Sequence, residues 1–141
     1  MRAMLSRSPA KTLVASARGL AALSEAGVEL DALLASGSDA GERYEHGQID
    51  PEPRLLIRTA GAAGGVWQRP DGEDGRYAAA ALPGAAQDAY GCGDSFAAGL
   101  TFGLGQGLAV ETALELGARC GATCLTGRGP YGRQLTAAEI A

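Results

Sequence analysis

The sequence has no excess of basic residues and no long apolar segment, and each absence excludes a class of protein. Lys and Arg number 12 against 16 Asp and Glu, so the formal net charge is −4 over 141 residues. That balance lacks the basic surface that nucleic acids and anionic membranes attract. Apolar runs such as 78–82 are far shorter than the about 20 residues that cross a bilayer. We therefore expect no nucleic-acid partner and no membrane partner.

The N-terminus and the cysteines add two further absences. Arg2, Arg7 and Lys11 are not followed by the apolar core of a signal peptide, which makes a cytoplasmic location the expectation. The three cysteines are an odd number and form no CxxC pair. They are Cys92, Cys120 and Cys124. Free thiols are the simplest interpretation, and we expect Cys120 and Cys124, four residues apart on one helical face, to be packed in the interior.

Short apolar segments alternate with helix-compatible segments along the chain, and clustered glycines separate them. The predicted strands cover residues 12–16, 33–35, 55–59, 66–69 and 76–79. The predicted helices cover residues 18–26, 39–46, a segment that begins near Asp94, and 110–125. A Pro-Asp-Gly turn at 70–72 predicts an antiparallel edge on an otherwise parallel sheet. This alternation indicates a layered α/β domain.

A glycine-rich turn precedes the helix that is predicted to begin near Asp94. Gly91 and Gly93 flank one small residue, Cys92, and such a turn can gather backbone N–H groups into an anion-binding concavity at the positive end of a helix. Asp94 would repel a bound phosphate, but a carboxylate there makes sense if it takes a proton from a hydroxyl that attacks a phosphoryl group. A simple helix cap is the alternative for Asp94.

The longer string around Asp94 resembles a signature of the PfkB, or ribokinase-like, carbohydrate kinases. It reads Asp88-x-x-Gly91-x-Gly93-Asp94-Ser95-Phe96-x-Ala98-Gly99-Leu100. Ala89 stands where the family usually has Thr, and Cys92 where it usually has Ala; both are small residues. The resemblance implies that Asp94 is the catalytic base. It also implies that the backbone of Gly91, Cys92 and Gly93 stabilises the transferred phosphoryl group.

The same resemblance implies a nucleotide site for ATP. Thr59, Gly61 and Gly64 follow the predicted strand as in the family segment that lies under the nucleotide, with a plain turn as the alternative. Arg128 and Gly129 are similar in position to a loop that borders the adenine pocket. A solvated surface charge is the alternative for Arg128.

Asp39 and Glu42 are similar to the family's Asn-x-x-Glu motif, which organises magnesium. Asp39 stands where the family has Asn and so adds a negative charge. Glu42 would act on Mg²⁺ through water. The same spacing also suits a capping box, and that alternative stays open.

The resemblance implies that residues 1–141 are the C-terminal, nucleotide-binding and catalytic part of a ribokinase-like α/β/α fold, without the N-terminal half and lid. The implied function is transfer of the ATP γ-phosphoryl group to a sugar hydroxyl. We expect weak or no turnover from this part alone, and either a homo-oligomer or a separate N-terminal half. A truncated, non-catalytic nucleotide-binding or regulatory remnant is the alternative. A Rossmann dinucleotide site is disfavoured, because no third glycine follows Gly93 at the required place.

Overall fold

The structure is a computed structural model that describes residues 11–140, so Arg2 and Arg7 lie outside the described residues. The chain forms two compact units. The first comprises the described residues as far as Gly61 together with Gly65–Arg76, and the second comprises Ala62–Gly64 and the described residues from Tyr77 onward. Within residues 11–140, no helix has the length and apolar character needed to cross a membrane.

A five-stranded sheet has the strand order β1-β2-β3-β4-β5. The strands are β1 (Val14–Ser16), β2 (Ala32–Ser36), β3 (Leu56–Thr59), β4 (Gly65–Gln68) and β5 (Asp74–Tyr77). The first three run parallel, and β4 pairs with β3 in the antiparallel direction. The predicted antiparallel edge on a parallel sheet is confirmed.

The core of the first unit surrounds β2. Leu33 and Leu30 are fully buried there, and the burial of four consecutive residues of β2 is typical of a parallel strand covered on both faces. Helix α1 (Leu20–Ala26) adds Leu23 to this core. The predicted end of this helix at residue 26 is confirmed, and Gly27 follows it in the left-handed conformation that glycine adopts most easily (φ 56°).

The helix predicted over residues 39–46 is wrong. Only one 3₁₀ turn forms there, at Ala40–Glu42. The Asp39 backbone N–H donates to Ser36 Oγ at 3.0 Å, so the reciprocal bond that Glu42 would supply in a capping box is not made. Glu42 instead contacts Arg18. A long-range ion pair has replaced the local bond on which the helix prediction depended.

The second unit is built on two packed helices, α2 (Cys92–Gly105) and α3 (Val110–Leu125), and a short helix α4 (Ala137–Ile140) follows. The predicted range of α3 is confirmed. Phe96 and Leu100 of α2 are buried.

Small residues let α2 and α3 approach closely. A Cβ added to Gly99 would lie 3.0 Å from the Cα of Gly117, and one added to Gly117 would lie 2.9 Å from the Phe96 carbonyl oxygen. These distances leave no room for a side chain at either glycine. The glycines on the facing sides of α2 and α3 therefore permit backbone-to-backbone packing.

Candidate active site

Helix α2 begins at a turn that only glycine can make. Gly91 is the N-cap, with φ 86°, and its carbonyl oxygen accepts the Ser95 N–H at 2.9 Å. A Cβ on Gly91 would come within 2.5 Å of the Pro130 Cβ. The positive φ and the contact with Pro130 both exclude a larger residue. Backbone geometry and close packing therefore set where α2 starts.

The first turn of α2 presents unpaired amides. The Cys92 N–H donates to the Ala89 carbonyl oxygen at 3.2 Å, so this member of the expected anion hole is occupied within the turn. The N–H groups of Gly91, Gly93 and Asp94 have no acceptor among residues 11–140. First-turn amides lie at the positive end of the helix dipole, where anions bind. Gly93 and Asp94 are therefore the helical amides that an anion can use here.

Asp94 lies in the first turn of α2 and is exposed to solvent. Gly91, not Asp94, is the N-cap, and no side chain caps this helix. The helix-cap alternative for Asp94 is therefore wrong. Its carboxylate takes part in no hydrogen bond or ion pair with the residues that the structure describes.

Asp88 joins the α2 turn to the Gly129 loop. One carboxylate oxygen accepts the Tyr90 N–H at 2.9 Å, and the other accepts the Gly129 N–H at 3.0 Å. These two amides hold the pKa of Asp88 below its ordinary value, and the Tyr90 amide has the larger effect. Asp88 stands at the head of the signature, but its link to the distant Gly129 loop is not visible in the sequence.

Two thiols lie beneath the same turn. The Cys92 Sγ contacts the Asp88 carbonyl oxygen at 3.8 Å, and the buried Cys124 Sγ contacts the carbonyl oxygens of Tyr90 and Pro130 at 3.9 and 3.8 Å. Burial, and then the neighbouring Cys124, raise the pKa of Cys92 to about 11. Cys92 and Cys124 are free, as expected, and the raised pKa leaves the Cys92 thiol protonated and a poor nucleophile.

Gln134 forms a second set of hydrogen bonds that holds the Gly129 loop against α2. Its side-chain amide donates to the hydroxyl of the buried Ser95 at 3.0 Å and to the Pro130 carbonyl oxygen at 2.5 Å. Arg128 is exposed on this loop. Within the second unit, the structure thus brings together Asp94, the α2 amides and the predicted nucleotide residue Gly129.

In the first unit, the parallel strands end in hydroxyl residues: Ser16 ends β1, Ser36 ends β2 and Thr59 ends β3. The carboxyl edge of a parallel sheet is where α/β proteins bind ligands. The Thr59 hydroxyl donates to the Ala35 carbonyl oxygen at 3.4 Å, a long bond that a better acceptor can replace.

The two glycines predicted near the nucleotide differ in their surroundings. Gly61 has φ 55° and open space around it. Gly64 is buried, and a Cβ there would collide with the backbone of Tyr77 and Ala78. Gly61 can therefore let a ligand approach the backbone, whereas position 64 must be glycine because the chain packs too closely there for a side chain.

The predicted metal residues face one guanidinium. Arg18 Nη2 lies 2.7 Å from Asp39 Oδ2, and Arg18 Nε lies 3.0 Å from Glu42 Oε1. The Gly41 amide and then the Arg18 guanidinium hold the pKa of Asp39 below its ordinary value. Two carboxylates directed at a common cation are the hard oxygen donors that Mg²⁺ takes, so the donor set suits this metal.

The chain is similar to known proteins over nearly its whole length. The family profile described as pfkB family carbohydrate kinase matches residues 14–137. An acarbose 7(IV)-phosphotransferase from Actinoplanes sp. is 43% identical over 74 residues, which is 52% of this chain and 25% of that protein.

Solved structures show the same fold. A Burkholderia thailandensis nucleoside kinase in complex with inosine superposes with a TM-score of 0.69 and 25% identity, covering 89% of this chain and 41% of that one. A Cryptococcus neoformans ribokinase in complex with ADP superposes with a TM-score of 0.65 and 25% identity, covering 79% and 42%. The expected ribokinase-like α/β fold is confirmed, for a chain that spans less than half the length of these relatives. By its profile match and its fold, the chain belongs to the PfkB family of carbohydrate kinases.

Proposed function

We propose that this chain carries the catalytic base and the nucleotide site of an ATP-dependent kinase that phosphorylates a sugar hydroxyl. The observation that carries the proposal is the start of α2: Asp94 is exposed and without a partner among the described residues, beside amides that are also free. A carboxylate next to an anion site suits transfer of a phosphoryl group to an alcohol, since the alcohol must lose a proton as it attacks.

In this proposal each group at the turn has one role. Asp94 accepts the proton of the attacking hydroxyl, a contribution of about 10²- to 10⁴-fold in general-base catalysis. The amides of Gly93 and Asp94, at the positive end of α2, stabilise the charge on the transferred phosphoryl group. A single preorganised donor of this kind contributes about 10²- to 10³-fold. Gly91 holds the turn in shape and Cys92 packs below it.

ATP is the proposed phosphoryl donor. The ribokinase structure described above contains ADP, which supports an adenine nucleotide in a fold like this one. Arg128 and Gly129 are the proposed contacts in the C-terminal loop, and Thr59 and Gly61 those at the carboxyl edge of the sheet. Gly64 supports this segment through packing.

Mg²⁺ is the proposed metal, with Glu42 and Asp39 as the residues that would hold it. When bound, it would neutralise charge on the nucleotide phosphates. Glu42 and Asp39 supply oxygen atoms already directed at one cation, which is the property that a magnesium site needs.

The proposed acceptor is a sugar hydroxyl, because the relatives are described as acting on or binding sugar-containing molecules: acarbose in one case and inosine in another. Positioning of the acceptor supplies much of the rate in phosphoryl transfer. This chain spans 41% of the nucleoside kinase, so the acceptor of the whole protein is part of the proposal.

The test compares Asp94→Asn with Glu111→Gln, which removes an acid from the first turn of the neighbouring helix α3. ATP affinity is measured by calorimetry with Mg²⁺ present, and phosphoryl transfer by a coupled assay over a panel of sugars and nucleosides. We expect ATP binding in all three proteins, and a loss of any transfer of at least 10²-fold only in Asp94→Asn. Transfer that survives this substitution would contradict the role of Asp94. Binding without transfer in every protein would favour the nucleotide-binding remnant.

A further inference from the structure

Arg18 lies between two carboxylates that come from a different loop. It follows β1, whereas Asp39 and Glu42 follow β2, and these two strands pair in parallel with Ser16 opposite Leu34. One guanidinium contacts both acids through different nitrogen atoms, at 2.7 and 3.0 Å. The arrangement therefore joins the carboxyl ends of two neighbouring strands through charge.

The groups around Arg18 are fixed by further hydrogen bonds. The Ser16 hydroxyl donates to Glu42 Oε1 at 3.4 Å and accepts the Arg18 N–H at 3.2 Å. The other oxygen of Asp39 accepts the Gly41 N–H at 2.8 Å. Asp39 is thus held by a neutral amide as well as by Arg18 and remains oriented when the guanidinium leaves, whereas Glu42 then keeps only the long Ser16 bond.

The charges at this cluster indicate competition with metal. Asp39 and Glu42 carry two negative charges, and Arg18 neutralises one of them. Asp39 Oδ2 and Glu42 Oε1, which would serve a hard cation, are the atoms that Arg18 contacts. A divalent ion and the guanidinium cannot both occupy this position at full contact, because each needs the same oxygen atoms and they repel each other.

We propose that Arg18 is the resident counter-ion of the Asp39–Glu42 pair and competes with divalent metal for it, so that Arg18 sets the metal affinity of the site. The inference rests on the metal-binding role proposed above for the two acids. Metal binding displaces the guanidinium from the carboxylates. Without metal, Arg18 compensates the charge that Asp39 adds where the family motif has an uncharged amide.

The test measures Mn²⁺ binding to the 141-residue chain without nucleotide, using the electron paramagnetic resonance signal of free Mn²⁺. Arg18→Gln removes the competing charge and keeps a polar side chain. Its matched control is Arg54→Gln, because Arg54 also contacts two acids, Glu29 at 2.9 Å and Asp31 at 3.6 Å. We expect about three- to tenfold tighter Mn²⁺ binding in Arg18→Gln and no change in Arg54→Gln, since exposed ion pairs are individually weak.

Two further variants make the test specific. Adding Glu42→Gln to Arg18→Gln must abolish the increase in Mn²⁺ affinity, because that increase requires the carboxylate that Arg18 no longer contacts. Arg18→Lys keeps the charge but cannot bridge both acids with a planar fork, so its affinity is expected between wild type and Arg18→Gln. It also serves as the second variant if Arg18→Gln unfolds, which circular dichroism would reveal.

The outcomes separate the two proposals. Measurable and equal Mn²⁺ affinity in wild type and Arg18→Gln, with weaker binding in Glu42→Gln, would overturn the role of Arg18 and leave the metal site standing. Failure of every protein to bind Mn²⁺ would overturn both. Competition predicts that Arg18→Gln binds Mn²⁺ more tightly than wild type. It also predicts that the difference in affinity between the two proteins becomes smaller as KCl is raised, because salt screens the exposed Arg18 ion pairs.

Discussion

The Asp88 carboxylate accepts the backbone N–H of Gly129 at 3.0 Å, across 41 residues of sequence. Its other oxygen accepts the Tyr90 N–H, so one side chain holds the turn before α2 and the C-terminal loop together. This acid therefore positions the backbone on both sides of the proposed phosphoryl and nucleotide sites. Together with the Gln134 bonds, this carboxylate joins the turn of the proposed anion site to the proposed nucleotide loop of the second unit.

That relationship predicts an acid-sensitive part of the stability. The pKa of Asp88 is lowered from 3.8 by the Tyr90 and Gly129 amides. A lowered folded-state pKa stabilises the fold at pH values above the unfolded-state pKa, and the contribution is lost as the pH falls through the folded-state pKa. We expect Asp88→Asn to be less stable than wild type at pH 7 and the two proteins to converge well below pH 4. Urea unfolding followed by circular dichroism measures this.

The control for Asp88 is Asp74→Asn, which alters an exposed acid whose carboxylate makes no hydrogen bond or ion pair among the described residues. This substitution should leave the difference in unfolding free energy between neutral and acidic pH the same as in wild type. Parallel stability curves for wild type and Asp88→Asn across the acidic range would show that the two amides do not depend on the charge.

Gly91 and Gly93 form a matched pair for testing the turn. Gly91 has φ 86° and would bring a Cβ within 2.5 Å of Pro130, whereas a Cβ on Gly93 meets nothing within 4 Å. We expect Gly91→Ala to cost about 2 kcal/mol or more, from backbone strain and overpacking together. Gly93→Ala should be neutral or slightly stabilising, because alanine favours the helix. Thermal and urea unfolding distinguish these outcomes, and equal losses in both variants would contradict the turn geometry.

Local signals predicted most of this fold, and long-range contacts account for what they missed. The apolar run at β2, the stop at Gly27 and the range of α3 were visible because hydrophobic pattern and glycine placement determine them. The helix predicted over residues 39–46 does not form, because Glu42 contacts Arg18, 24 residues away, instead of completing a local capping box. No periodicity in one sequence reveals such a pairing.

The candidate site followed the same division. The turn at Gly91 and the acid at Asp94 were predicted, because a glycine-rich turn before a helix is a local pattern. Asp88 was missed as an organising residue, since its partner Gly129 is distant in sequence. Cys92 was expected to offer its amide, yet the turn uses that amide to reach Ala89. Hydrogen bonds of this kind depend on backbone angles, which residue types constrain only loosely.

Tyr77 predicts an alkaline limit to stability. Burial raises its pKa from 10.0 to about 12, and its ring packs on Phe96 with centroids 5.6 Å apart. Because the folded state disfavours the phenolate, this contribution is complete below pH 10 and is lost as the pH rises through about 12. Tyr77→Phe should remove that part of the alkaline decline. Tyr131→Phe, at a side chain that is 90% exposed, is the control. An unchanged alkaline profile in Tyr77→Phe would contradict the prediction.

The contact between α2 and α3 predicts that a helix-favouring substitution will destabilise the protein. Alanine is favoured over glycine in a helix by about 1 kcal/mol. At Gly117, however, the added Cβ would lie 2.9 Å from the Phe96 carbonyl oxygen, and overpacking a tight contact costs about 1–3 kcal/mol. We expect Gly117→Ala to lower the unfolding free energy despite its better propensity.

Ala98→Gly, at an exposed position of α2, isolates the propensity term and should cost about 1 kcal/mol by itself. Urea unfolding of both variants then separates packing from propensity, because only the Gly117 change alters the distance between the helices. If Gly117→Ala proved more stable than wild type by the amount that Ala98→Gly loses, the two backbones would not be in contact.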